Sequence, residues 1–287
     1  MEFKWKLSAS VAAAAVLSAC GQADQAETGA AETEVADAVA PGGMDGGGVD
    51  EAADPMAGHG MTMMGAEGGE GEAGAVAQLD PQARAVADFL LIRGHTMAGE
   101  ALYAAGERDM ARPHLSHPQV ELYSEAMDNL RQYGAESAAQ AGDVIVELGE
   151  ADATAAEISA AVDATFVELD KAVEAVDATL AQRAEALSAV LEAARAEYNV
   201  SINDGVVTDP AEFQDSWGFI RAARSAFEAW RDDFNSADEE AAGRFAQQLD
   251  HLLVLHNNPV PDGAPPDLAE FRTGVTQAQL ALVPFQS

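Results

Sequence analysis

Residues 111–125, ARPHLSHPQVELYSE, place His114 and His117 three apart and follow them with Glu121 and Glu125. On a helix, His117, Glu121, Glu125 and Asp128 fall on one face. Imidazole nitrogen beside carboxylate oxygen suits Fe(II), Mn(II), Zn(II) or Cu(II), with geometry deciding among them. Ser116-His117-Pro118-Gln119 also fits a capping box with proline in the first turn. A helix is therefore expected from about Ser116 to Tyr133, with His114 folded over its start. The plain alternative is a capped helix start with a solvated acidic face.

Such a site needs a facing helix. His95 shares the apolar face of a predicted helix with Leu91, Ala98, Gly99 and Leu102, and Gly94 and Gly99 allow another group to approach closely. His256 lies among Leu249, Leu252 and Leu253 and is a further candidate ligand, whereas His251 points elsewhere. The alternative for His95 is a core histidine bonded to a carbonyl. A second candidate cation site is the turn that carries Asp204, Glu212 and Asp215. Its structural reading is an Asp204-Gly205 turn followed by a helix capped at Thr208 or Asp209, with Glu212 closing a capping box.

A third cluster, MAGHGMTMMG, gathers Met56, His59, Met61, Met63 and Met64. Thioether with imidazole suits Cu(I), so the tract is a candidate copper arm, resembling Met/His tracts of periplasmic copper-handling proteins. Low-complexity drift is the alternative. Catalysis finds no motif: the chain lacks a Gly-x-Ser-x-Gly elbow, a phosphate-binding glycine loop and His-Glu-x-x-His. The expectation is that it is not an enzyme.

The net charge of −34, from 49 acidic and 15 basic residues, disfavours nucleic acid as a partner. It is compatible with cations. Residues 1–19 join Lys4 and Lys6 to an apolar run and end in Leu17-Ser18-Ala19 before Cys20, the lone cysteine. This looks like a lipoprotein signal peptide with lipidation at Cys20 and anchoring to a membrane through that lipid. Gly21 is similar to the corresponding residue of Gram-negative outer-membrane lipoproteins, and this resemblance implies the periplasmic face of that membrane as the expected location. Residues 20–78 are rich in Gly, Ala, Glu and Asp and poor in large apolar residues, so they read as a disordered acidic tether.

Residues 79–287 carry helical periodicity. Helices are expected over 81–105, with Asp80 and Gly106 as caps, over 135–148, over 152–200 as one helix or two kinked near Asp177, from Pro210, from a cap at Ser236, and after Pro265-Pro266. The fold class is all-α: an antiparallel helical bundle with one long or kinked central helix, preceded by the tether.

The stretch YNVSINDGVVTDPAEFQDSWGF, residues 198–219, resembles the extracytoplasmic helical region of long bacterial high-affinity iron permeases, through Tyr198, Val200, Asp204-Gly205, Glu212-Phe213, Asp215 and Phe219. Phe213 stands where that family shows tyrosine, and the Arg-Glu-x-x-Glu signature of the transport helices is absent. Imelysin-like iron-uptake lipoproteins are a more distant likeness without their His-x-x-Glu signature. The resemblance implies an extracytoplasmic role near iron, with a metal transporter or receptor as partner. The combined reading is a lipid-anchored transition-metal-binding protein using His95, His114, His117, Glu121, His256 and Glu125. The alternative is a metal-free interaction lipoprotein that docks a membrane partner through an apolar stripe on residues 158–198.

Overall fold

The computed structural model describes residues 69–119, 129–261 and 263–286. Cys20 with the signal peptide expected before it, the Met56–Met64 tract, and Glu121 and Glu125 lie outside the described residues. Among the described residues are eight α-helices: α1 Gly69–Val76, α2 Pro81–Ala105, α3 Arg108–His117, α4 Ala135–Glu150, α5 Ala155–Ala175, α6 Leu180–Ser201, α7 Pro210–Leu255 and α8 Leu268–Leu282. The chain is an all-α bundle.

Local chemistry sets most of these boundaries. Asp80 accepts from the backbone N–H groups of Gln82 and Ala83, and Pro81 opens α2 at a position that needs no donor. Gly106 closes it in the left-handed conformation. Thr154 and Thr179 each form a full capping box, with Glu157 and Gln182. Between α5 and α6 the chain turns at Asp177, whose φ is +52°. Residues 152–200 are therefore two helices.

Helix α6 is buried on nearly every side, through Ala184, Leu187, Val190, Leu191, Ala194 and Tyr198. A helix apolar all round belongs at the centre, and its alanines let neighbours pack close. Helices α1, α2, α7 and α8 pack against it. Helix α7 breaks at Asp238 (φ −156°, ψ 95°), which leaves two rods. A smaller core under α3, α4 and α5 joins Leu102, Leu115, Ile145, Ile158 and Val162.

Three expectations are corrected, and the expected Asp204-Gly205 turn is found at the tip of a short hairpin. Helix α3 begins at Arg108, so Ser116 ends a helix where it was expected to start one; its hydroxyl donates to the Pro113 carbonyl. The second rod of α7 is capped by Asp238, which accepts from Ala241 N–H, and not by Ser236. A two-residue hairpin pairs Ile202–Asn203 with Val206–Val207 around Asp204-Gly205, both at positive φ. The bundle is ordered by Gly69, within the stretch composition assigned to the tether, because Val76 reaches the core and Gly71 rests on Glu197.

Helices α2 and α7 cross at Gly94 and Gly218. A Cβ on Gly218 would strike the Gly94 carbonyl, and one on Gly94 would strike the Phe219 ring. This close approach brings His95, beside Gly94, against Asp215, one turn before Gly218. Gly218→Ala is expected to destabilise the chain by about 1–3 kcal/mol through overpacking, read by urea denaturation.

Candidate metal centre

Four helices deliver the site. His95 comes from α2, fully buried. His114 and His117, three apart, leave the last turn of α3 on one face. Gly99 of α2 has no side chain where Leu115 of α3 packs, so the two helices touch and the three rings meet. The His95 and His117 ring centroids are 4.3 Å apart, and those of His95 and His114 are 6.4 Å apart. Helix α7 adds Asp215, and α1 adds Glu72, 3 % exposed.

The contacts are polar and short. His95 Nε2 lies 3.0 Å from Glu72 Oε1. His95 Nδ1 lies 2.6 Å from Asp215 Oδ1, yet off the line of a hydrogen bond, so this buried nitrogen has no hydrogen-bond partner. His114 Nδ1 is 2.8 Å from the same Asp215 oxygen, and its Nε2 is 2.7 Å from Gln214 Oε1. Both partners accept, so protonated His114 donates from both nitrogens, and the bond to the Gln214 carbonyl fixes the ring so that loss of the Nδ1 proton would leave a lone pair on the Asp215 side.

Carboxylates crowd this end of the bundle. Glu197 of α6 is buried, with Oε1 unpartnered, as is Glu72 Oε2. Burial first, then the hydrogen bond and charge of Glu212 and the fields of Glu72 and Asp215, push Glu197 up to about 10. Burial, with Asp215 and Asp209, also raises Glu212. Burial works against protonated His95, but Asp215 and Glu72 outweigh it and hold its pKa well above the usual imidazole range. His114 is raised by the same balance, through Asp215 and Gln214. Burial would lift Asp215, yet His95 and His114 hold it well below the carboxylate range. Asp88, near Glu72, is raised by burial to about 6.

This donor set fits a transition-metal ion. The donor atoms of Glu72, His95 and His117 lie within 4.8 Å of one another, as do those of His95, His114 and Asp215. Ligands bonded to one ion at about 2.1 Å and at right angles sit roughly 3 Å apart, close to the spacings found here. Two imidazoles with one carboxylate is the composition that non-haem Fe(II) sites use. The orphaned atoms of Glu72, His95 and Glu197 supply the independent sign, since buried polar atoms are normally partnered.

Of the residues expected from sequence, the structure brings together His95, His114, His117, Glu212 and Asp215. Asp204 stays away, exposed at the tip of the hairpin. His256 does not join: it caps the C-terminus of α7, where its Nε2 lies 3.0 Å from the Phe213 carbonyl among Tyr198, Phe213 and Phe271. Burial, with Arg221 nearby, pushes its pKa down to about 3. It is a core histidine. His256→Gln is expected to lower stability by about 1–3 kcal/mol in denaturation, from lost packing and hydrogen bonding, and to leave metal affinity unchanged. Sequence reasoning missed Glu72, Glu197 and Gln214.

Helix α6, the two rods of α7 and α8 form four consecutive helical segments. Residues 174–284 match the family model of the iron permease-associated 4-helix bundle domain. The match bears out the resemblance carried by residues 198–219. No curated protein and no solved structure matches the chain. The matched segment contributes Glu197, Glu212, Gln214 and Asp215, while all three histidines and Glu72 come from α1–α3, outside the matched residues. The centre thus lies where the N-terminal helices cover the matched segment. Among the described residues no helix is long and apolar enough to cross a membrane.

Proposed function

We propose that this chain binds a transition-metal ion at the His95 centre, iron first, and supports iron uptake from outside the cytoplasm. The observation that carries the reading is His95, His114, His117, Glu72 and Asp215 converging in a buried, acid-rich space with unpartnered donor atoms. The match to the iron permease-associated bundle supports iron and a metal transporter as partner. The bound ion would take over the positive charge that protonated His95 and His114 supply in its absence. Asp215, His95 and His114 would hold it, and Gln214 would orient His114, while Glu72 and His117 form the second donor group on the other nitrogen of His95. Lipidation at Cys20 would tether the bundle to the membrane, with the periplasmic face of the outer membrane as the site of action. The Met56–Met64 arm with His59 would be a separate position for Cu(I).

The metal-free docking reading predicts an exposed apolar stripe on residues 158–198. Ile158, Val162, Leu169, Leu187, Val190 and Leu191 are instead buried. The test is anaerobic Fe(II) titration of the full chain beside Asp215→Asn, an isosteric change. Stoichiometric binding that weakens at least about tenfold in the variant is expected. Equal affinity in both chains would remove the centre from the account.

A further inference from the structure

We infer that the centre holds two metal ions at once, one on each nitrogen of the His95 ring, with His95 as the bridge between them. This rests on reading the centre as a metal site and adds the number of ions and their arrangement.

The argument begins with the ring. The lone pairs of Nδ1 and Nε2 point away from one another, so one ion cannot use both. Both nitrogens nevertheless face a carboxylate: Nδ1 meets Asp215 at 2.6 Å, and Nε2 meets Glu72 at 3.0 Å. Each side also has its own second imidazole. His114 Nδ1 shares the Asp215 oxygen, and His117 groups with Glu72 and His95. The two three-residue groups have only His95 in common.

The unused donor atoms point the same way. Unpartnered buried oxygens remain on Glu72 and Glu197, beyond what the Asp215 position would use. With metal–nitrogen bonds of about 2.1 Å on either side of the ring, the ions would stand roughly 6 Å apart. The proton balance follows from the ring. Metal-free His95 carries a proton on each nitrogen, so the first ion takes one nitrogen after that N–H proton has left to the buffer. The second ion takes the other nitrogen after the second proton has left in the same way, and His114 gives up its Nδ1 proton to bind beside Asp215.

The probe is Co(II), a borderline ion that thioethers hold poorly, titrated into the full chain and counted by calorimetry and native mass spectrometry. Two Co(II) per chain are expected for the wild type. His114→Ala and His117→Ala should each hold one, and His95→Gln should lose both. Asp215→Asn and Glu72→Gln repeat the one-sided tests without a change of volume, with circular dichroism as the folding check. A single Co(II) per wild-type chain, weakened by substitution on either side, would overturn the bridge and leave a one-ion centre. Two ions that both survive in a folded His95→Gln would overturn it as well. No Co(II) bound by a folded wild-type chain would overturn the metal reading itself.

Discussion

His95→Ala is expected to lower Fe(II) affinity by more than about 100-fold, because even an outer-shell partner of a metal site is worth about 10–100-fold and His95 stands in both donor groups. The metal-free protein should also lose about 3–5 kcal/mol, since Glu72 and Asp215 would be left as buried carboxylates without their counter-charge. The two effects are separable by measuring urea denaturation without metal and Fe(II) titration of the folded variant. An affinity within threefold of wild type would detach His95 from binding. An unchanged stability would show that the two carboxylates find other partners when the ring is gone.

Proton release should be the second large effect. Asp215 is held low, so its contribution to stability is present above about pH 4 and is lost as pH falls toward its folded value. His95 and His114 are held high, so theirs is complete below about pH 6.5 and is lost as pH rises through the folded values. Glu197 keeps a proton up to about 10 that the unfolded chain gives up much earlier. Its burial therefore counts increasingly against the fold as pH climbs above the ordinary glutamate range. The metal-free protein should be most stable at about pH 5, where Asp215 is ionised, both histidines keep their protons and the Glu197 penalty is still small. Between about pH 6 and 9 it should lose about 1.4 kcal/mol per pH unit for each extra proton the folded state holds. Metal ions compete with those same protons. Affinity should therefore rise with pH across that window, and binding heats near neutral pH should vary with the ionisation enthalpy of the buffer. Flat metal-free stability from pH 6 to 9 with buffer-independent heats would contradict this assignment.

Much of the scaffold is legible in the sequence because caps and periodicity act locally. Asp80, Gly106, Asp177 and Pro210 mark their boundaries by local capping and backbone preference alone. The same logic misleads at Ser116-x-x-Gln119, where a capping pattern falls at the end of a helix that Leu115 and Gly99 fix by packing. Three histidines of the centre are legible as a group, since His114 and His117 sit at helical spacing and His95 lies between glycines on an apolar face. Their carboxylate partners are not. His114 and Asp215 are 101 residues apart, and His95 and Glu72 meet across 23 residues that composition divides between tether and bundle. Glu72 and Val76, four apart and both buried, are the faint helical signal inside that Gly/Ala/Glu stretch. Glu197 reads as one more acid on a helix until α1 and α7 close over it. His256 shows the converse: its apolar face is real, but the Phe213 carbonyl and three aromatic rings take up the side chain.

The most direct measurement is anomalous diffraction at the iron absorption edge from crystals of the Fe(II)-loaded protein. The account predicts iron peaks beside His95, one toward Asp215 and His114 and one toward Glu72 and His117. Iron bound only at sites away from His95, with His95 still paired to Glu72 and Asp215, would contradict it.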